Sequence, residues 1–465
     1  MKKLIPQSLG FTHPKPTKTV YTVLRQLVQW IPPGMIQRLA DEHKLDIRKW
    51  SAVSHVVALL YGQLAGCDSL NGIVDAARVH EGEWRNIRGA QPPKRNTFSN
   101  ANRRRDAAMA ERLYWEVFDH LVSVCPGFGE YRKHKGFLAR MKRGIFAIDS
   151  STIKLCLNCI DWARHRRKKA AAKLHMNLDV GSRLPAFAVV EDAGHHDSTR
   201  AQTLCAGLTA GDVCLADRAY TDFGFLDGLR ARGILFVVRQ KKNMRFKSVK
   251  TLPKGRDASV ISDELVEPVL ARSKKLYPVP LRRVTARVEV DGKMKVMTFL
   301  TNHLGWSART VAELYRARWA VELFFKELKQ TCQIRDFVGY NENAVKWQVW
   351  TGMLVHLLLR FMRHVAGWEL SFSRLAGVAR AAVWVKRDLV AILKTYGTAP
   401  RPRPGEPREK PPPLQVFFDF WRIDYGTAGP KTQQKLETAN LAGKTSNPNP
   451  QNGQQKPKQI SMGKG

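Results

Sequence analysis

The chain has 465 residues, and its 77 Lys+Arg against 40 Asp+Glu leave a formal net charge of +37. An excess of that size attracts polyanions, because each phosphate it neutralises releases condensed counterions, and it points to nucleic acid, with an anionic membrane surface as the competitor. The longest apolar run, near Trp350 to Met362, carries His356 and Arg360 and is too short to span a bilayer, and MKKLIPQSLG lacks the apolar core of a secretory leader, so a cytoplasmic protein acting on the nucleoid is expected.

From about Thr17 to Tyr131 apolar residues recur at helical spacing, as in VYTVLRQLVQWI and SAVSHVVALLYGQLAG, and residues 1–135 read as an all-helical domain. Within it, KRNTFSNANRRRDAAMA offers Asn96, Thr97 and Ser99 as helix N-caps, with Arg103, Arg104 and Arg105 following. A helix that opens beside basic residues suits a DNA groove or a phosphate backbone. Arg103 and Arg104 are therefore candidate DNA contacts, against the plainer reading of a solvated basic surface.

From Gly144 the apolar period changes to two. GIFAIDSSTIKL, AAKLHMNLDV and LPAFAVVEDA read as strands, DSTRAQTLCAGL as a helix and DVCLADRAY as a strand; TDFGFLDGLRARG reads as a helix and ILFVVRQ as a strand. Three meandering strands followed by alternation give a mixed α/β sheet flanked by helices, an order that resembles the RNase H-like fold. Cys156 and Cys159 form the one C-x-x-C of the chain, with no second Cys/His pair at zinc-finger spacing, so buried thiols are expected there. Seven cysteines, an odd number without regular spacing, fit a reducing compartment.

Residues 241–301 read as a β-rich insertion with a hairpin about Asp291-Gly292. The next helix, ELYRARWAVELFFKELKQ, places Tyr315, Arg318, Glu322 and Lys329 at spacings of three, four and seven residues, hence within an arc of about 60° on one continuous helix. Apolar residues occupy most of the remaining circumference. A charged stripe within such a surround needs partners. WQVWTGMLVHLLLRFM reads as a final buried helix, closing a catalytic domain of 140–365; 366–398 is a helical segment, and 399–465 a Pro-rich linker and a polar, basic tail.

Asp149 lies in the first strand and Asp217 at the end of the fourth. In an RNase H-like sheet these strands are neighbours, and Glu322 arrives from the late helix. Such a set of hard oxygen ligands suits two Mg²⁺ ions, with Mn²⁺ as substitute, and carboxylates brought that close repel one another without cations. Lys173 and His175, two apart on the second strand, are candidate DNA contacts beside Asp149, and Arg218 follows Asp217 as a phosphate contact. Trp306 is a candidate stacking platform for an extruded base.

The set Asp149, Asp217 and Glu322, with the Y-x2-R-x3-E-x6-K pattern met at Tyr315, Arg318, Glu322 and Lys329, resembles the DDE transposases of the insertion-sequence-4 family over roughly Thr17 to Phe361. DSLNGIVDAAR and RNTFSNANRRR are similar to a helical domain of one branch of that family. The resemblance implies cut-and-paste transposition: cleavage at terminal inverted repeats, a hairpin intermediate, and joining to target DNA by a homodimer assembled on double-stranded DNA. It further implies that Arg318 and Lys329 hold phosphates and that Tyr315 hydrogen-bonds a phosphate near the cleaved bond. A nuclease for branched DNA shares the acids but gives no reason for the Tyr-Arg-Glu-Lys stripe. A non-catalytic DNA-binding regulator gives none for the triad.

Overall fold

The structure, a computed structural model, describes residues 16–396 apart from 46, 48–49, 130–140, 142, 156–158, 160–162, 166–168, 195–196, 254, 256, 291–292 and 332–337. Cys156, the Asp291-Gly292 turn and the 399–465 tail therefore lie outside the described residues.

The helices open with α1 (Val23–Val28), α2 (Met35–Glu42), α3 (Ala52–Ala65) and α4 (Leu70–Val79), followed by α5 (Glu81–Arg85), α6 (Arg95–Arg104), α7 (Ala108–Val124) and α8 (Pro126–Gly129). Ser and Thr side chains cap several of them: Thr22, Ser51 and Ser69 accept from backbone N–H groups of the first turns of α1, α3 and α4. Helix α6 departs from the expected pattern. Its N-cap is Lys94, so Asn96, Thr97 and Ser99 lie inside the helix, and Arg103 and Arg104 close it instead of following its start.

A ten-stranded sheet follows. Its strands are β1 (Ile145–Leu155), β2 (Arg164–His165), β3 (Lys169–Asp179), β4 (Leu184–Asp192), β5 (Val213–Ala216), β6 (Leu235–Arg239), β7 (Phe246–Thr251), β8 (Val260–Pro268), β9 (Leu281–Val290) and β10 (Lys293–Thr301). The order is β2-β3-β1-β5-β6-β10-β9-β8-β7, with β4 also on β3. Strand β1 is antiparallel to β3 and parallel to β5, and β5 is parallel to β6. The central β5, VCLA, is buried at every position, as expected of a strand covered on both faces. The residues of the insertion build no separate sheet; β10 pairs antiparallel with β6 and extends the main one.

Helices α9 (Asp197–Leu204) and α10 (Phe223–Ala231) cover one face, sharing an apolar core with Ile148, Cys214, Ala216, Phe236 and Val238. After α11 (Ala271–Leu276) come α12 (Ala308–Ala317), α13 (Trp319–Thr331), α14 (Glu342–Val365), α15 (Phe372–Ala381) and α16 (Leu389–Tyr396). Helix α14 is buried at every position from Trp347 to Met362, as the sequence leads one to expect. Helices α3, α6 and α7 pack directly on it: the His55 ring lies 4.6 Å from that of Trp347, whose Nε1 donates to Arg105 O at 2.9 Å. No helix among the described residues is long and apolar enough to cross a membrane.

Candidate active site

The site forms where β5 ends against the middle of β1. Their parallel register pairs Ile148 with Ala216, so Asp149 and Asp217 are the next residues on adjacent strands. Strand alternation puts Ile148 toward the α9 core and Asp149 on the opposite face, toward α13.

The expected single helix through Tyr315 and Lys329 is broken. Arg318 is a turn residue between α12 and α13, and the chain is tightened there by Arg318 N–H to Tyr315 O and Val321 N–H to Arg318 O. The four residues of the stripe nonetheless reach that same junction. Tyr315 Oη donates to Asp217 Oδ1 at 3.2 Å. Arg318 Nη1 donates to Asp149 Oδ2 at 3.2 Å and Nη2 to Glu322 Oε1 at 2.5 Å. Lys329 Nζ donates to Thr152 O on β1 at 2.8 Å.

The electrostatics couple the acids. Burial pushes the Asp149 carboxyl up to about 7; Arg318 and the Ser150 N–H pull it down, while the charges of Glu322 and Asp217 push it up. Arg318 is only 5% exposed, and although burial disfavours its charge, the neighbouring carboxylates of Glu322 and Asp149 hold its pKa above the usual arginine value. Tyr315 is pushed up to about 12, mainly by burial, so its hydroxyl stays protonated and can donate. Glu322 is exposed and open to an approaching ligand.

Whether divalent ions suit this set can be judged from its chemistry. The donors are all carboxylate oxygens, the ligands of Mg²⁺ and Mn²⁺ and not of zinc. Asp149 has too little positive charge nearby to ionise at its ordinary pKa, and a guanidinium stands between two of the acids where a hard cation would neutralise them. The residues fit such ions, although among the described residues no three His, Cys, Asp or Glu side chains are gathered closely enough to hold an ion as they stand.

Other candidates are placed differently. Lys173 and His175 pair with Thr152 and Ser150 on β1, hence face the α9 side, away from Asp149. His175 is fully buried with Nε2 3.1 Å from Glu191 Oε1, and Lys173 Nζ lies 3.1 Å from Asp197 Oδ1. Both are buried against carboxylates on that side, and Asp197 is a partner of Lys173 and of Ser150 Oγ, which donates to it at 2.7 Å. Arg218 is exposed just after Asp217, in a short 3₁₀ turn whose Tyr220 is buried in the core. The Trp306 ring is stacked on His303, centroids 4.0 Å apart, so one of its faces is already covered. Arg103 and Arg104 are exposed at the end of α6.

Two supports of the site carried no sequence signal. Glu327 on α13 accepts from Arg360 and from His356 Nε2 (3.3 Å), both buried on α14, which fixes α13 beneath Glu322. Burial disfavours the Glu327 anion, but its two partners outweigh that and hold it down at about 2. In the residues of the insertion, Arg282 and Asp263 form a buried two-point pair at 2.8 and 2.6 Å; Arg282 also donates to Leu304 O and Trp306 O, pinning the loop before α12. A helical or alternating pattern marks such residues only as polar, and pairing across elements cannot be read from it.

Residues 140–358 match the family described as a transposase DDE domain, and residues 19–85 match a domain of unknown function. The chain is 30% identical over 280 residues to y4zB of Sinorhizobium fredii, a protein carrying a transposase name, covering 59% of this chain and 75% of the relative. It is 24% identical over 223 residues to InsG of Escherichia coli, the transposase for insertion sequence element IS4, covering 44% of this chain and 49% of InsG. Among solved structures, a piggyBac transposase synaptic complex with hairpin DNA aligns over 90% of this chain and 94% of that one at 12% identity, with a TM-score of 0.40.

Proposed function

The chain belongs to the DDE transposases of the insertion-sequence-4 type, enzymes that cleave and join DNA, and from that premise we propose a cut-and-paste transposase that acts on the terminal inverted repeats of its own element. The observation that carries the reading is the convergence, at the end of β5 and the adjoining part of β1, of Asp149, Asp217 and the Tyr315-Arg318-Glu322-Lys329 stripe.

Asp149, Asp217 and Glu322 are the catalytic acids of this reading and would hold two divalent ions, Mg²⁺ with Mn²⁺ as substitute. When bound, such ions supply Lewis-acid activation of the attacking oxygen and charge neutralisation at the leaving oxygen. The protein groups position the DNA. Arg318, whose planar fork now spans Asp149 and Glu322, is shaped to turn the same two N–H groups to a phosphate once those acids are otherwise neutralised. Lys329 reaches over β1 to a second phosphate as a point charge, and Arg218 lies exposed on the other side of Asp217. Tyr315, donating to Asp217, orients that carboxylate, and its hydroxyl would turn to a phosphate near the cleaved bond when DNA is bound.

Water attacks the phosphodiester at the transposon end and releases a 3′-OH. That hydroxyl attacks the opposite strand, which releases the flanking DNA and closes a hairpin; a second water opens the hairpin and restores the 3′-OH, which then attacks a target phosphodiester and displaces a target 3′-OH. Each step is an in-line displacement at phosphorus, so one set of acids serves all of them. The helical region 1–135, with Arg103 and Arg104, binds the ends; 140–365 carries the chemistry, 241–301 is an insertion within it, 366–398 a helical segment and 399–465 a basic tail. Two ends require pairing, hence a homodimer on double-stranded DNA, working on the nucleoid in the cytoplasm.

The test is a gel assay with labelled terminal-repeat DNA and Mg²⁺. Nicks at the 3′ end followed by hairpins support the proposal. Preferential cutting of branched DNA favours a structure-specific nuclease, and binding without cutting a regulator; either outcome overturns it.

A further inference from the structure

Helix α6 turns to the surface a face that the fold does not use. Phe98, Ala101 and Asn102 form its buried side. The Phe98 ring lies 5.4 Å from that of Trp50, and Asn102 Oδ1 lies 2.7 Å from Nε2 of the buried His55. At about 100° per residue, Asn96, Asn100 and Arg103 lie opposite that side, within an arc of about 60°, and all three are exposed. At the start of α14, the Nδ2 groups of Asn341 and Asn343 both donate to Arg103 O, at 2.9 and 3.3 Å, so α6 is fixed to the body that carries the acids.

The chemistry of this face differs from that of the neighbouring helices. Their exposed sides carry ion pairs one turn apart: Arg38 with Glu42 on α2, Arg85 with Glu81 on α5 and Arg112 with Glu116 on α7. No acid lies between Lys94 and Arg105, and among the described residues Lys94, Arg95, Arg103 and Arg104 form no ion pair. Asn is a poor helix former, because its side chain competes for backbone groups. The contact to His55 accounts for Asn102. Nothing in the fold accounts for Asn96, and Asn100 Oδ1 accepts from Arg103 Nη2 at 3.1 Å, out on the exposed face.

We propose that α6 reads base edges in the major groove of the bound duplex, with Asn96 on an A·T pair and Arg103 on a G·C pair. The inference rests on the reading that the helical region binds DNA and adds which side chains select its sequence. A helix about 10–12 Å in diameter fills a groove about 12 Å wide. Asn presents one donor and one acceptor, the complement of adenine N7 and N6–H. Arg presents two parallel donors, the complement of guanine O6 and N7. Asn100 is a positioning residue, whose contact holds the Arg103 fork on the outward face. From Asn96 to Arg103 is two helical turns, about 10.5 Å, hence about three base steps of about 3.4 Å. Lys94, Arg95 and Arg104 flank the centre of the face and meet phosphates.

The experiment is a selection by the full chain, in EDTA, from a library of duplexes randomised over one segment, with the bound fraction sequenced. Wild type enriches a motif holding an A·T and a G·C pair about three steps apart, each preferred about 5- to 150-fold, the equivalent of about 1–3 kcal/mol. Asn96→Ala loses the preference at the A·T pair alone, and Arg103→Ala at the G·C pair alone. Asn100→Ala weakens the preference at the G·C pair and leaves the A·T pair unchanged. Arg104→Ala weakens binding to all duplexes alike and leaves the motif as it was. Because the readout is which base is preferred, partial unfolding of a variant lowers binding to every duplex and cannot mimic the loss of one position. Bound duplexes without a common motif, or a motif left intact by Asn96→Ala or by Arg103→Ala, overturn the proposal while DNA binding stands. Failure to bind any duplex overturns the DNA-binding reading beneath it.

Discussion

Asp149 is held in the folded protein at a cost that can be measured. Its pKa rises from 3.8 to about 7 on folding. A group whose folded pKa is raised adds stability that is fully present below the unfolded value and is lost as pH climbs through the folded one. Below about pH 4 Asp149 is protonated in both states, and that contribution is fully present. Above pH 7 it is ionised in both, and the folded state has lost the preference for the proton. The difference of about 3 pKa units corresponds to about 4 kcal/mol. Asparagine resembles the protonated acid in shape and does not titrate, so between pH 4 and pH 8 the stability of Asp149→Asn relative to wild type should shift in favour of the variant by about 4 kcal/mol. Any intrinsic difference between Asn and the neutral acid, including the altered contact to Arg318, is present at both pH values and cancels from the comparison. The assay is urea unfolding of both proteins in EDTA at a series of pH values. A variant that is less stable than wild type by the same amount at pH 4 and pH 8 would refute the reasoning, because it would show that Asp149 is not ionised against a penalty.

Further expectations follow from the same contacts. Asp149→Ala, Asp217→Ala or Glu322→Ala should abolish cleavage of terminal-repeat DNA while leaving end binding within a few-fold, read by gel shift and cleavage gel; loss of binding in step with activity would count against the metal-site assignment. Glu327→Ala strips a carboxylate from Arg360, which is 8% exposed, and should cost on the order of 3 kcal/mol in urea unfolding; a change under about 0.5 kcal/mol would mean the contact does not anchor α13. Asp263→Ala leaves the Arg282 guanidinium, 4% exposed, without its carboxylate and should cost about 3–5 kcal/mol, checked in the same way. DNA affinity should fall steeply and log-linearly with salt in anisotropy titrations, and a flat dependence would exclude phosphate-dominated binding.

What the sequence made legible was local. The strand IFAIDSST and the short run VCLAD are each read from their own residues, and both lie where expected, because apolar period and turn chemistry are properties of a few neighbouring positions. The facing of Lys173 and His175 was not legible. Two positions apart, they share a side, but which side depends on whether His175 pairs with Asp149 or with Ser150, and a shift of one residue in register reverses it. The structure pairs His175 with Ser150, and the two basic groups turn to Glu191 and Asp197. Likewise Asn96, Thr97 and Ser99 are good capping residues that α6 does not use, since the helix begins earlier, at Arg95.

The break at Arg318 shows most directly why local signals fail at a site. No glycine or proline marks it, and LYRARWAVELFF has the composition of an unbroken helix. The balance of energies lies elsewhere. Giving up a regular intrahelical hydrogen bond for a tighter turn costs about 1 kcal/mol net, whereas a buried guanidinium without its carboxylates costs about 3–5 kcal/mol. Arg318 is buried and contacts acids from two different elements, Asp149 on β1 and Glu322 on α13. A backbone that bends there to keep both contacts is the lower-energy solution. The determinant of that bend, the Asp149 carboxylate, lies 169 residues away in the chain, beyond the range of any helix propensity. The irregularity therefore follows from the charge cluster, and removing the cluster should remove it: in Asp149→Asn the demand on Arg318 falls, and amide hydrogen exchange at Arg318 and Val321 should slow toward that of the flanking turns of α12 and α13. Exchange unchanged from wild type would place the origin of the break in the local sequence instead.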